Sequence, residues 1–206
     1  MMQFAQPFIQ QLIATSALEW LAVISAIAYL LLAIKESLWC WPAAFASTAI
    51  YIILFFDVNL YMQSFLNFYY LIMAVYGWFQ WNKINNESPQ KSILIWPIKR
   101  HFILIGVTTF LVFVSAFLLK NHTEQDFALI DSFTTWFAIL ATYMITQKVL
   151  ENWLYWIIID SVSIYLYLSK GFALTAVLFF SYIILAFIGW KTWKKHYEQQ
   201  TSQANR

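Results

Sequence analysis

Charge is the scarcest property of this chain: only 11% of its 206 residues are Asp, Glu, Lys or Arg, while 62% are hydrophobic. Soluble domains carry about 25% charged residues, so a soluble globular protein is excluded and a polytopic membrane protein is indicated. With one cysteine, Cys40, no intrachain disulfide can form, and a small buried thiol is the plain reading. The four glycines form no phosphate-binding loop, and neither an HExxH pair nor a serine elbow occurs. An enzyme therefore gets little support, and direct drive by ATP is excluded for this chain alone. His101, His122 and His196 lack metal-ligand spacing, so neither a metal nor a cofactor is expected. The opening Met1–Phe8 has no basic n-region and no small-residue cleavage site, which reads as a retained segment.

What the chain does have is length in its apolar runs. Leu18–Ile34, Leu38–Phe56, Leu60–Trp81, Phe102–Leu119, Phe127–Ile145, Leu150–Leu168 and Gly171–Trp190 are each long enough to cross the bilayer, whose hydrocarbon is about 30 Å thick. Alternating the loops between two sides places ten basic residues together, among them Lys35, Lys83, Lys148 and Lys191, with only Lys120 and Lys170 opposite. Positive charge stays inside, which predicts a cytoplasmic C-terminus and an outer N-terminus. The net charge of +2 thus reports topology and gives no reason to expect nucleic acid.

Met73–Trp81 and Leu185–Trp193 share Gly-Trp-x-x-Trp at an offset of 112 residues, and the same offset sets Trp41 on Trp153, Tyr70 on Tyr182 and Thr48 on Asp160. Spans one to three therefore answer spans five to seven, with the fourth as linker. The expected fold is all-α and integral to the membrane: seven helices in a 3+1+3 arrangement of parallel repeats. The expected divisions are residues 1–81, a cytoplasmic linker and linker helix at 82–119, and residues 120–206.

Inside the sixth span, Trp153, Trp156, Asp160, Ser163 and Tyr167 share one helical face. An ionisable group near the bilayer centre costs a few kcal/mol or more, and it normally faces a cavity, a partner charge or a substrate. Aromatic faces attract cations, so the stripe reads as a cage for a small, flat, positively charged ligand. Interhelical glue is the competing reading for Asp160. The third span aligns Gln63, Asn67, Tyr70, Ala74, Gly77 and Trp81, where Asn67 can orient a ligand by its amide or serve as glue. In the fifth span, Asp131, Thr135, Ala138, Thr142 and Thr146 suit close packing or a path lining. Glu19 and Glu151 are expected to snorkel, and Trp39, Trp81, Trp96 and Trp193 to form an interfacial belt.

Glu151-Asn152-Trp153-Leu154-x-Trp156, preceded by Tyr76-Gly77-Trp78-x-x-Trp81 and by Asp131-Ser132, resembles the PnuC family of bacterial vitamin transporters. The resemblance implies a fold related to the SWEET proteins, a homotrimer in the cytoplasmic membrane, and facilitated diffusion of a vitamin that a kinase then traps. The nicotinamide-riboside branch of that family typically has Asn where Asp160 stands and Gln where Asn67 stands. Losing an amide donor and gaining a negative charge favours a cationic or amino-bearing ligand, so the resemblance points first to the thiamine-transporting branch and second to nicotinamide riboside. Trp153 and Trp156 would stack on the rings and Asp160 would offset charge. Asn67 would fix orientation, with Ser163 on the same stripe and Tyr70 and Tyr182 closing the site. A vitamin receptor without transport is the alternative class, and a sugar carrier conflicts with the buried carboxylate.

Overall fold

The structure, a computed structural model, describes residues 17–57, 61–87, 93–122, 127–169 and 173–204. Among them are seven helices: α1 (Ala17–Ile34), α2 (Cys40–Asp57), α3 (Tyr61–Glu87), α4 (Ile98–His122), α5 (Ala128–Thr146), α6 (Asn152–Ser169) and α7 (Ala173–Ala204). Helices are what a lipid-embedded chain must form, since each satisfies its backbone N–H and C=O groups internally.

Each expected span is one of these helices, but α3, α4 and α7 run several residues further than their apolar stretches. At 1.5 Å per residue, the 32 residues of α7 extend about 48 Å, well beyond the hydrocarbon thickness. Its surplus carries Lys191, Lys194, Lys195 and His196. Likewise α3 continues through Glu87, so the expected polar linker starting at Asn82 begins as helix. Residues 88–92 of that linker, the opening Met1–Phe8, and Lys170 and Gly171 lie outside the described residues, as does the Gln63 side chain.

By length and composition, α1, α5 and most of α4 and α7 could each cross a membrane, and Cys40–Leu54 is a shorter apolar helix. The helices α3 and α6, less apolar, are the ones that carry Asn67 and Asp160.

The chain divides into two compact units, Met1–Trp78 and Phe79–Arg206, with the boundary inside α3. In the first unit α1 packs on α2. Small residues allow the approach: Ala22, Ala33 and Cys40 are fully buried, and the Ser47 hydroxyl donates to the Ala22 carbonyl at 2.9 Å. The Ser64 hydroxyl donates to the Ile52 carbonyl at 3.0 Å, tying α3 to α2. Near the other end of α2, Trp41 lies against Gly77, where any added Cβ would overlap the indole ring.

The second unit joins α4 to α5, α5 to α6 and α6 to α7. Here Trp153 lies against Gly189, and a Cβ there would come within 2.7 Å of its ring. The Trp-on-Gly seat thus recurs at the offset of 112 residues, and so does the turn that precedes each tryptophan. Ser37 N–H donates to the Leu32 carbonyl at 2.9 Å and Val149 N–H to that of Met144 at 3.0 Å. Cys40 N–H donates to Ser37 and Asn152 N–H to Val149 in the same register.

Residues 93–97 lead into α4, and Leu94 among them forms a parallel bridge with Val149. Leu94 N–H donates to the Lys148 carbonyl at 3.0 Å, and Leu150 N–H to the Leu94 carbonyl at 2.8 Å. Pro97 sits just before α4, where its missing N–H costs nothing, and its carbonyl accepts from Arg100 N–H at 2.8 Å.

Candidate functional site

Asp160 stands midway along α6 and is 4% exposed, yet no described residue donates to its carboxylate. A buried carboxyl with no donor among the described residues is costly to keep charged, so the position stands apart from the apolar helix around it. One turn on, Ser163 is buried with its hydroxyl donating to the Ile159 carbonyl at 2.9 Å, which leaves its oxygen only as an acceptor. One turn back, Trp156 is half-buried and retains surface.

Trp153 differs from Trp156. It is 1% exposed, its ring lies on Gly189, and it meets the Trp193 ring edge-on at 5.4 Å. These contacts pack it between α6 and α7. Towards the C-terminal end of α6, Tyr167 stacks on Phe179 at 5.2 Å, and Phe179 meets Tyr182 edge-on at 5.9 Å.

In the first unit, Asn67 and Tyr70 lie half-buried on α3, with the Tyr69 and Tyr70 rings 5.8 Å apart. Tyr29 of α1 interacts with Tyr70 and places its ring 6.1 Å from that of Trp41. Thr48, the counterpart of Asp160 under the repeat, returns its hydroxyl to the Ala44 carbonyl at 2.8 Å. The two halves therefore differ in their chemistry at this level: one has a satisfied hydroxyl, the other an unsatisfied carboxylate. Among the described residues, no group of three or more His, Cys, Asp or Glu gathers to hold a metal.

Around Lys148, the second unit holds features that sequence reasoning assigned differently. Trp81, Trp193 and Trp96 are buried within the protein, and the Trp81 and Trp193 rings pack at 6.0 Å. Only Trp39 of that expected belt is well exposed, at 68%. Lys148 is 1% exposed; its ammonium donates to Asn85 at 3.1 Å and sits 4.8 Å from the Trp81 ring centre. Hydropathy had made it one more cytoplasmic charge. His101, which lies just before the expected fourth span, is a buried residue of α4, and Glu151 is partly exposed. Their hydrophobic neighbours in sequence, Trp96 and Tyr155, were the available signal.

A family model described as "Nicotinamide mononucleotide transporter" matches residues 16–195. The nicotinamide riboside transporter PnuC of Escherichia coli is 26% identical over 218 residues, spanning 91% of this chain and 90% of the relative. The riboflavin/roseoflavin transporter RibM of Streptomyces davaonensis is 24% identical over 169 residues, spanning 80% and 78%. A crystal structure of the vitamin B3 transporter PnuC superposes with a TM-score of 0.75 at 17% identity, covering 95% of this chain and 88% of that one, a likeness of fold.

Proposed function

Because the chain belongs to the nicotinamide mononucleotide transporter family, we propose that it carries a cationic aromatic vitamin across the membrane, with nicotinamide riboside first among the substrates. It is a membrane transporter of vitamin type, and the substrate is the step taken here. The observation that carries it is the buried carboxyl of Asp160 in the middle of α6, with no donor among the described residues. Nicotinamide riboside brings a pyridinium charge to meet it, and a relative named for that substrate matches nine-tenths of both chains.

Thiamine, the leading expectation from sequence, becomes the second reading, since the relatives above are named for nicotinamide riboside and riboflavin. Asp160 still favours it: thiamine carries a thiazolium charge and an aminopyrimidine, whereas the riboflavin ring system is neutral and gains nothing from a carboxylate. In this proposal Asp160 offsets the ligand charge, Trp156 offers a ring face, and Ser163 accepts a hydrogen bond. Asn67 orients the ligand through its amide, and Tyr70 and Tyr182 close on it.

The proposed architecture is 3+1+3 with parallel repeats, supported by the matching turns and Trp-on-Gly seats. The proposed setting is a homotrimer in the bacterial inner membrane, with the N-terminus outside and transport by facilitated diffusion. The test is calorimetric titration with nicotinamide riboside, thiamine and riboflavin in parallel, followed by counterflow in sealed proteoliposomes. Tight nicotinamide riboside binding with counterflow is the expected result. Thiamine binding alone transfers the assignment to the second reading, and binding without counterflow identifies a receptor.

A further inference from the structure

The two faces of α7 meet different surroundings. On one, Ala186, Gly189 and Trp193 are buried, and Trp153 of α6 lies against Gly189 and Trp193. On the other, Val177, Phe180, Ile184 and Phe187 are between 44% and 59% exposed. With a rotation of about 100° per residue, these four fall with Lys191 and Lys194 inside a single arc of about 100°, so they make one continuous stripe. From Val177 to Phe187 the stripe rises about 15 Å, half of a hydrocarbon thickness of about 30 Å. It is as long as the acyl region of one leaflet, and the two lysines stand where the headgroups of that leaflet begin.

Aromatic rings hold those lysines at the end of the stripe. The Phe187 and Trp190 rings are 6.0 Å apart. Lys191 Nζ lies 4.5 Å from the centre of the Phe187 ring, and Lys194 Nζ lies 5.3 Å from that of Trp190. Attraction to the ring faces draws both ammonium groups back towards the apolar stripe. No Asp or Glu occurs from Gly171 to Tyr197, and Lys195 adds a third positive charge at the same level. Neither Lys191 nor Lys194 forms an ion pair among the described residues, although Glu198 is one turn beyond Lys194. The apolar stripe therefore ends in positive charge that this helix does not neutralise.

We infer that this face of α7 binds an anionic phospholipid, with an acyl chain along Val177–Phe187 and the phosphodiester accepting hydrogen bonds from Lys191 and Lys194. Ammonium groups donate to phosphate oxygens by charge-assisted bonds, and each basic residue near an anionic membrane surface adds to the attraction. A headgroup of net negative charge, as in phosphatidylglycerol, keeps that gain, whereas the ammonium of phosphatidylethanolamine offsets it. Because the stripe is opposite the Trp153 seat, the lipid supports α7 from outside without entering its contact with α6. The inference rests on the membrane setting of the chain and not on which vitamin it carries.

The experiment is native mass spectrometry of the full chain in detergent, with phosphatidylglycerol or phosphatidylethanolamine of the same acyl chains added at equal concentration. Wild type is expected to retain phosphatidylglycerol about tenfold more than phosphatidylethanolamine. The double variant Lys191→Gln, Lys194→Gln should retain the two about equally, and Lys191→Arg, Lys194→Arg should keep the preference. Lys83→Gln with Lys120→Gln removes the same two charges elsewhere and should keep it as well. Equal retention of both lipids by wild type overturns the site, and so does an equal loss of preference in the Lys83 and Lys120 pair, which would mark unspecific attraction. Dissociation of an oligomer in the Lys191 and Lys194 glutamine pair also overturns it, because the stripe would then face a second copy. Thermal unfolding supplies a second reading: added phosphatidylglycerol should raise the unfolding temperature of wild type by about 2–4 °C and leave that of the glutamine pair unchanged. Equal stabilisation of both proteins removes the lysines from the site.

Discussion

Glu36 and Lys148, 112 residues apart, share a left-handed backbone, with φ of 53° and 52°. They are the only positive-φ non-glycine residues among those described, and each ends a helix at the same point of a repeated turn. Left-handed geometry costs an L-residue about 1–2 kcal/mol. Glu36 is partly exposed, so Glu36→Gly should stabilise the fold by up to about 1 kcal/mol. Lys148→Gly relieves the same backbone but removes the contacts to Asn85 and Trp81, and should destabilise it. Thermal unfolding of the two variants checks this opposition of sign.

The glycines beneath the tryptophans give a sharper comparison. Gly77→Ala and Gly189→Ala should each cost about 1–3 kcal/mol by overpacking, because the new methyl meets a large buried ring. Gly106, in α4, has nothing within 4 Å of a built Cβ, so Gly106→Ala should be neutral or gain up to about 1 kcal/mol in helix propensity. Unfolding temperatures that rank the three alike would show that the Trp-on-Gly seats do not limit packing.

Those seats were partly legible in the sequence. The Gly-Trp-x-x-Trp pair and its offset aligned Trp41 with Trp153, and the apolar runs located all seven helices. The ends of α3 and α7 were not legible, because hydropathy measures what suits lipid and is silent once a helix continues into water. Tryptophan is equally ambiguous: an indole suits both an interfacial belt and a packed core, so nothing local separated exposed Trp39 from buried Trp81. Lys148 and His101 escaped for a related reason, since their partners Asn85, Glu151 and Tyr155 are brought to them only by tertiary folding. The Asp160 stripe was visible by helical spacing, but that spacing could not show which of its two tryptophans is covered.

That difference predicts a separation of effects on α6. Trp153→Ala empties the seat on Gly189 and the edge contact with Trp193, and should cost about 3–5 kcal/mol of stability. Trp156→Ala should leave stability nearly unchanged and weaken vitamin binding by about tenfold, within what a cation–aromatic contact of about 2 kcal/mol supplies. Unfolding and calorimetry on both variants test the split. A Trp156→Ala protein that binds as well as wild type removes the ring face from the proposed site.

Asp160 should separate stability from binding. Its carboxyl is buried without a described donor, so replacement by Asn removes a group that is costly to desolvate in its charged form, and the empty protein should be at least as stable. The same replacement deletes a charge-assisted contact worth about 1.5–3 kcal/mol, so affinity for a cationic vitamin should fall by about tenfold or more. A residue kept for packing would lose stability on substitution, and one kept as interhelical glue would lose stability without a matching loss in affinity. Acidification offers the same test without mutation: once Asp160 takes up a proton the cation loses its counter-charge, so binding should weaken in wild type and stay level in Asp160→Asn. Calorimetry at two pH values on both proteins reads all of these differences, and equal affinity of wild type and variant at neutral pH would remove Asp160 from the site.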